Sequence, residues 1–107
     1  MHAHYFDHET LNAYKLLAQV ARWYLTARFP RGTASLKNQG LVAAQSAALN
    51  LAEGRSRKGH ARINHYEISK ASAAEACAVL DLVDIPGGTD NQYKLRRAGA
   101  MLTKLGA

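Results

Sequence analysis

The sequence predicts an all-α fold, an antiparallel up-down-up-down four-helix bundle. Three observations carry this expectation. Breaks rich in Gly and Pro divide the chain at Pro30-Arg31-Gly32-Thr33, at Gly54 to Gly59, and at Pro86-Gly87-Gly88-Thr89. The four pieces between the breaks repeat apolar residues every three or four positions, the period of a helix with one buried face. No useful stretch alternates with period two, so strands are not supported. Four amphipathic helices joined by short loops pack most simply as a bundle. One domain covers residues 1–107, with helices expected at about 7–28, 35–54, 58–84 and 90–105.

In the first helix Leu11, Tyr14, Ala18, Ala21 and Leu25 form the stripe, widened by Leu17, Val20 and Tyr24. Asp7 or Thr10 is the expected cap, and Arg28 suits the carboxyl end, where the helix dipole favours a cation. The second helix opens at Ser35 and stops at Gly54. Its stripe is Leu36, Ala43, Ala44, Ala47, Leu51 and Ala52, mostly small residues that admit a close partner helix. The third carries Ile63, Tyr66, Ala73, Ala74, Cys77 and Leu80 on one face, and its alanines favour helix. The fourth takes Asp90 as its cap and Leu95, Ala98, Met101, Leu102 and Leu105 as its face.

Composition bounds the function. The chain has 107 residues, 48% apolar and 21% charged, which fits a folded domain rather than a disordered one. At this length roughly 60–65% of the unfolded surface can be buried. That allows one modest core and no deep substrate cavity. Fourteen Lys and Arg against eight Asp and Glu leave a net charge of +6, which favours acidic partners such as nucleic acid. The single cysteine, Cys77, forbids an intrachain disulfide and fits a reducing cytoplasm. The segment Met1 to Asp7 lacks a charged region followed by an apolar run, so no signal peptide is read there. No apolar run approaches the ~20 residues of a membrane span.

Several chemistries lose their residues. Bundles that hold two metal ions use Glu-x-x-His on two helices. None of Glu9, Glu53, Glu67 and Glu75 has a histidine three positions on. His4 and His8, and His60 and His65, read as solvated histidines. No metal and no cofactor are expected. Cys77, set among Ala73, Ala74 and Leu80, reads as a small buried hydrophobe rather than a nucleophile. Nucleophile-elbow, phosphate-loop and dinucleotide motifs are absent from the sequence.

Two groups of residues remain. The basic run Arg55-Ser56-Arg57-Lys58-Gly59-His60-Ala61-Arg62 lies between the second and third helices. Arg55, Arg57, Lys58 and Arg62 there are candidate phosphate ligands, assisted by the free N–H groups opening the third helix. The same run also reads as a solvated turn. Lys94, Arg96, Arg97 and Lys104 form a looser set on the fourth helix. The second group is polar: Ser46, Asn50 and Glu53 at helical spacing on the second helix, Ser72 and Glu75 on the third. Buried polar residues need partners. Hydrogen bonds that fix helix register would supply them; so would a ligand or another subunit.

The block Ser46-x-x-x-Asn50-Leu51-Ala52-Glu53-Gly54-Arg55, followed by Ser69-Lys70-Ala71-Ser72-Ala73-Ala74-Glu75, resembles the four helix bundle protein family. This is the family encoded in intervening sequences of some bacterial 23S rRNA genes, also called S23 ribosomal proteins. Phe6, Phe29-Pro30, Leu36-x-x-Gln39 and Met101-Leu102-Thr103-Lys104-Leu105 extend the resemblance over nearly the whole chain. It implies a helical bundle assembled into a ring homo-oligomer, a homopentamer, with RNA or DNA as its partner. The chain departs from the family at Leu41 and Val42, where a basic pair is common, and at Glu67, often basic. The basic turn would then carry more of any nucleic-acid contact, and Leu41 and Val42 would serve subunit packing. The expectation is a non-enzymatic, cytoplasmic nucleic-acid-binding accessory protein with weak sequence preference. The alternative is an oligomeric scaffold or adaptor for another protein.

Overall fold

The computed structural model describes residues 4–107; Met1 to Ala3, part of the segment read for a signal peptide, lie outside the described residues. A 3-10 turn at Asp7–Thr10 precedes four α-helices: α1 (Asn12–Thr26), α2 (Ala34–Arg55), α3 (Gly59–Asp81) and α4 (Gly88–Lys104). No strand occurs among the described residues. Each helix packs on the next in sequence, and α4 closes back onto α1. The thinnest dimension is 20 Å, two helix diameters of about 10 Å, so the helices form two layers.

The ends of the helices differ from the expected ones. The first helix is not continuous from residue 7: Leu11 adopts extended backbone and separates the 3-10 turn from α1. Glu9 folds back within the 3-10 turn to accept the Phe6 N–H at 2.6 Å, and Leu11 takes the cap position of α1 with no side-chain cap bond, so neither Asp7 nor Thr10 caps that helix. Ala27 leaves the helix, which puts Arg28 beyond it. The Lys37 ammonium reaches over from α2 and donates to the Ala27 carbonyl at 2.6 Å, supplying the cation at this end. Ser35 lies inside the first turn of α2; Thr33 is the cap position, and its hydroxyl donates to the Pro30 carbonyl instead. Gly87, in the left-handed region, precedes α4, and Asp90 sits within the first turn, 3.5 Å from Lys94.

Gly54 is not a helix stop. α2 runs through it to Arg55, and Gly54 is buried. A methyl group there would stand 2.9 Å from His65 Cβ and 2.9 Å from the Tyr66 ring. The glycine is the surface on which α3 lies. Gly40 has the same role against α1, where the Tyr24 ring occupies the space a Cβ would take.

The core is thin, as the alanine content predicts. α2 contributes Ala43, Ala44, Ala47, Ala48 and Leu51. α3 adds Tyr66, Ala73, Ala76, Val79 and Leu80, and α4 adds Leu95, Ala98 and Leu102. Ala74 of the expected α3 face is exposed. On α1 the buried stripe is Ala13, Leu17, Val20 and Tyr24, while Leu25 is 56% exposed. The expected stripe is thus turned about the helix axis, and the residues read as its margin are its centre.

Tyr24 is fully buried and its hydroxyl donates to the Ala76 carbonyl at 2.6 Å, tying α1 to α3. Burial pushes this phenol well above the usual tyrosine range, with Cys77 adding to the rise. A raised folded-state value leaves stability intact below the unfolded tyrosine value, near pH 10, and removes it as pH climbs towards the folded one. Above pH 10 unfolding free energy is expected to fall by up to about 1.4 kcal/mol per pH unit through Tyr24 alone. Denaturant melts of the wild type and Tyr24→Phe between pH 9 and pH 12 isolate this contribution. Parallel curves would show that Tyr24 is not its source.

Candidate functional site

Two neighbouring features lie where α2 meets α3. The first is a polar seam. The Ser46 and Ser72 hydroxyls stand 2.9 Å apart across the helices. The Asn50 amide donates to the Ser46 carbonyl at 2.9 Å and to its hydroxyl at 3.1 Å. Its oxygen faces His65 Nδ1 at 2.9 Å. With the amide nitrogen committed to Ser46, that oxygen accepts, and Nδ1 of His65 carries the proton. One turn along, the buried Ser69 hydroxyl donates to the Ala47 carbonyl at 2.6 Å. As numbering rises on α2 from 46 to 50, the paired position on α3 falls from 72 to 65.

Ser46, Asn50 and Ser72 meet in this seam; Glu53 and Glu75 do not. Both glutamates are exposed. Glu53 turns to the solvent side, accepting from Arg57 Nε at 3.0 Å. That hydrogen bond, and then the Arg57 charge, hold its carboxyl below the usual range. Spacing by three keeps position 53 on the same side of α2 as Asn50, but its carboxylate turns to Arg57 at the exposed end of the helix rather than to α3. In their place stand His65 and Ser69, which sequence reasoning missed. A signal existed: reflecting α2 through a turn centred between residues 57 and 58 sets position 50 opposite position 65.

The second feature is the basic turn. Arg62 folds over the end of α2, donating from Nε to the Gly54 carbonyl at 3.2 Å and from Nη2 to the Arg55 carbonyl at 2.9 Å. It covers carbonyls that the helix itself leaves unpaired. Arg55 is half-buried, with Nη1 3.4 Å from the Tyr66 hydroxyl. Arg57 pairs with Glu53 on the surface. Lys58 is exposed at the cap position of α3 and forms no ion pair among the described residues. The turn thus gathers all four cations: Arg62 closes α2, Arg55 reaches Tyr66 on α3, Arg57 is tied to a carboxylate, and Lys58 forms no ion pair among the described residues.

A separate groove of about 360 Å³ runs between α3 and α4, floored by Ala73, Ala74, Cys77 and Leu95 and rimmed by Lys70 and Arg96. Burial pushes the Cys77 thiol up, Arg96 opposes this, and Asp81 adds to the rise. A thiol so placed is neutral at neutral pH. Among the described residues no group of three or more His, Cys, Asp or Glu is placed to hold a metal ion. Nor is any described helix long and apolar enough to cross a membrane. No family model, curated protein or solved structure matches the chain.

Proposed function

We propose that this chain is a non-enzymatic nucleic-acid-binding protein, of the kind encoded in 23S rRNA intervening sequences. In this reading it is an antiparallel up-down-up-down bundle that acts in the cytoplasm as a ring homo-oligomer, a pentamer, and binds RNA or DNA through phosphates. The observation that carries the reading is the charge balance of the turn. Four cations stand there against one acid, Glu53, and α3 holds no acid before Glu67. The N–H groups opening α3 add positive potential beside Lys58. The falling pairing order between α2 and α3 supports the antiparallel arrangement. No base-reading element enters the reading, so contacts to the backbone would position the nucleic acid without selecting sequence.

Fluorescence anisotropy of nuclease-treated protein with structured RNA and with duplex DNA tests it. Affinity is expected to fall log-linearly with salt. Arg55→Ala, Arg57→Ala and Lys58→Ala together are expected to weaken binding and to flatten the salt slope by about one. The reduction is below three full contacts because Arg55 and Arg57 already have partners. No binding at low salt would discard the reading, and unchanged affinity in the triple variant would remove the turn from it.

A specific observation favours the scaffold reading as second choice. Val42 and Leu49, seven apart on α2, and Ile68 on α3 are exposed apolar residues. Leu41, expected to join Val42 outside, instead packs against the core. Recovery of a protein partner after nuclease treatment would favour this second reading.

A further inference from the structure

A second basic surface lies away from the turn, on the face shared by α1 and α4. On α1, Lys15, Gln19 and Arg22 recur at spacings of four and three, and all three are exposed. On α4, Lys94, Arg97, Met101 and Lys104 recur at three, four and three. The two rows meet: a shallow groove of about 290 Å³ is lined by Lys15, Leu16 and Gln19 from one side and Arg97 and Met101 from the other. Further along, Trp23 lies against Gly87, which brings Arg22 towards the Lys94 end of α4. Five cations therefore share one face.

Acids are almost missing from it. α1 contains none, and α4 contains only Asp90, which Lys94 already engages at 3.5 Å. Lys15, Arg22, Arg97 and Lys104 form no ion pair among the described residues. Clustered like charges raise the local potential and cost stability unless an anion lies against them. From Lys94 to Lys104 the helix rises about 15 Å, enough to track a run of several phosphates. One aromatic residue stands in the row: Tyr93 is 58% exposed, and the Arg97 guanidinium lies 5.9 Å from its ring centroid. A basic row beside an exposed aromatic ring is the surface on which unpaired bases stack while cations follow their backbone.

We infer that the α1/α4 face, rather than the turn alone, is a binding surface for single-stranded nucleic acid, with Lys15, Arg22, Lys94, Arg97 and Lys104 on the phosphates and Tyr93 under a base. The inference rests on the nucleic-acid reading and assigns its main surface. An acidic protein would be drawn by the charge but would not need the ring. A duplex would meet the charge and leave Tyr93 idle.

The test uses the full chain with a single-stranded RNA oligonucleotide, the same sequence as a duplex, and polyglutamate. Lys15→Ala, Arg97→Ala and Lys104→Ala together are expected to lower the salt slope for the single strand by about two, at ~0.7 per phosphate lost. If both proteins converge at about 1 M salt, that slope change is roughly a hundredfold loss at about 0.1 M. Tyr93→Ala is expected to weaken the single strand about tenfold with the slope unchanged. A triple variant with the wild-type slope overturns the inference. So does polyglutamate bound as tightly as RNA, or a duplex bound more tightly than the single strand with no effect of Tyr93→Ala. Where the wild type binds and only the Arg55, Arg57 and Lys58 variant weakens, this face fails and the nucleic-acid reading stands. Where the wild type binds no nucleic acid, both fail.

Discussion

Gly40→Ala is expected to destabilise the protein by about 2 kcal/mol, although alanine is the better helix former by up to ~1 kcal/mol. The new methyl would stand 2.6 Å from Tyr24 Cζ and 2.7 Å from its hydroxyl oxygen. The ring has little freedom to retreat. Trp23 meets it edge-on at 5.1 Å, Phe29 stacks at 6.0 Å, and its hydroxyl is held by the Ala76 carbonyl at 2.6 Å. Overpacking of this kind costs about 1–3 kcal/mol, and a strained or lost buried hydrogen bond about 1 more. The two together exceed the gain in propensity. A melting temperature lower by about 10 °C follows for a domain of this size. Gly99→Ala is the internal control. Its methyl would meet nothing within 4 Å, so the propensity gain of about 0.5–1 kcal/mol should appear as a higher melting temperature. Opposite signs at two glycines inside helices separate close packing from intrinsic preference. A rise in both variants would mean that α1 is not pressed against α2 at Tyr24.

The four helices were legible in the sequence because the loop signals and the helical period agree, and local agreement of this kind marks a consistent fold. The buried face of α1 was not. Apolar residues nearly encircle that helix, so the stripes Leu11–Tyr14–Ala18–Ala21–Leu25 and Ala13–Leu17–Val20–Tyr24 both keep helical spacing. Only the neighbours choose between them, and Gly40 chooses Tyr24 by leaving room for its ring. Caps failed for a related reason. Ser35, Thr10 and Asp90 are cap-forming types one to three residues from an actual helix start, and a displacement of one residue suffices to void a cap. The polar seam was half legible. Ser46, Asn50 and Ser72 announced themselves as polar residues on apolar faces, whereas His65 looked like any histidine near a helix start. Its role depends on a pairing across two helices, which no window along the chain contains. The basic turn was legible as charge, but not the use of Arg62 in closing α2.

That difference between residues that share a seam and residues that merely share a spacing gives the second large expected effect. Asn50→Leu should destabilise by about 1–2 kcal/mol, while Glu53→Leu should leave the unfolding midpoint close to that of the wild type. Asn50 is half-buried and satisfies both Ser46 and His65. Leucine would leave the His65 Nδ1 proton without its acceptor and the Ser46–Ser72 pair without its third member. The cost follows from unmet groups in a seam that water reaches only in part, rather than from the loss of attraction alone. Glu53 stands in solvent with Arg57, and an exposed pair of this kind contributes little. Denaturant unfolding of both variants at neutral pH reads the contrast directly. The double variant Asn50→Leu with His65→Leu sharpens it, because removing both partners replaces an unmet polar group with an apolar contact. Recovery of stability in the double variant would place the Asn50 effect in its bond to His65. Equal losses for Asn50→Leu and Glu53→Leu would mean that the two residues act together after all, and that the seam reaches one turn further along α2 than its hydrogen bonds do.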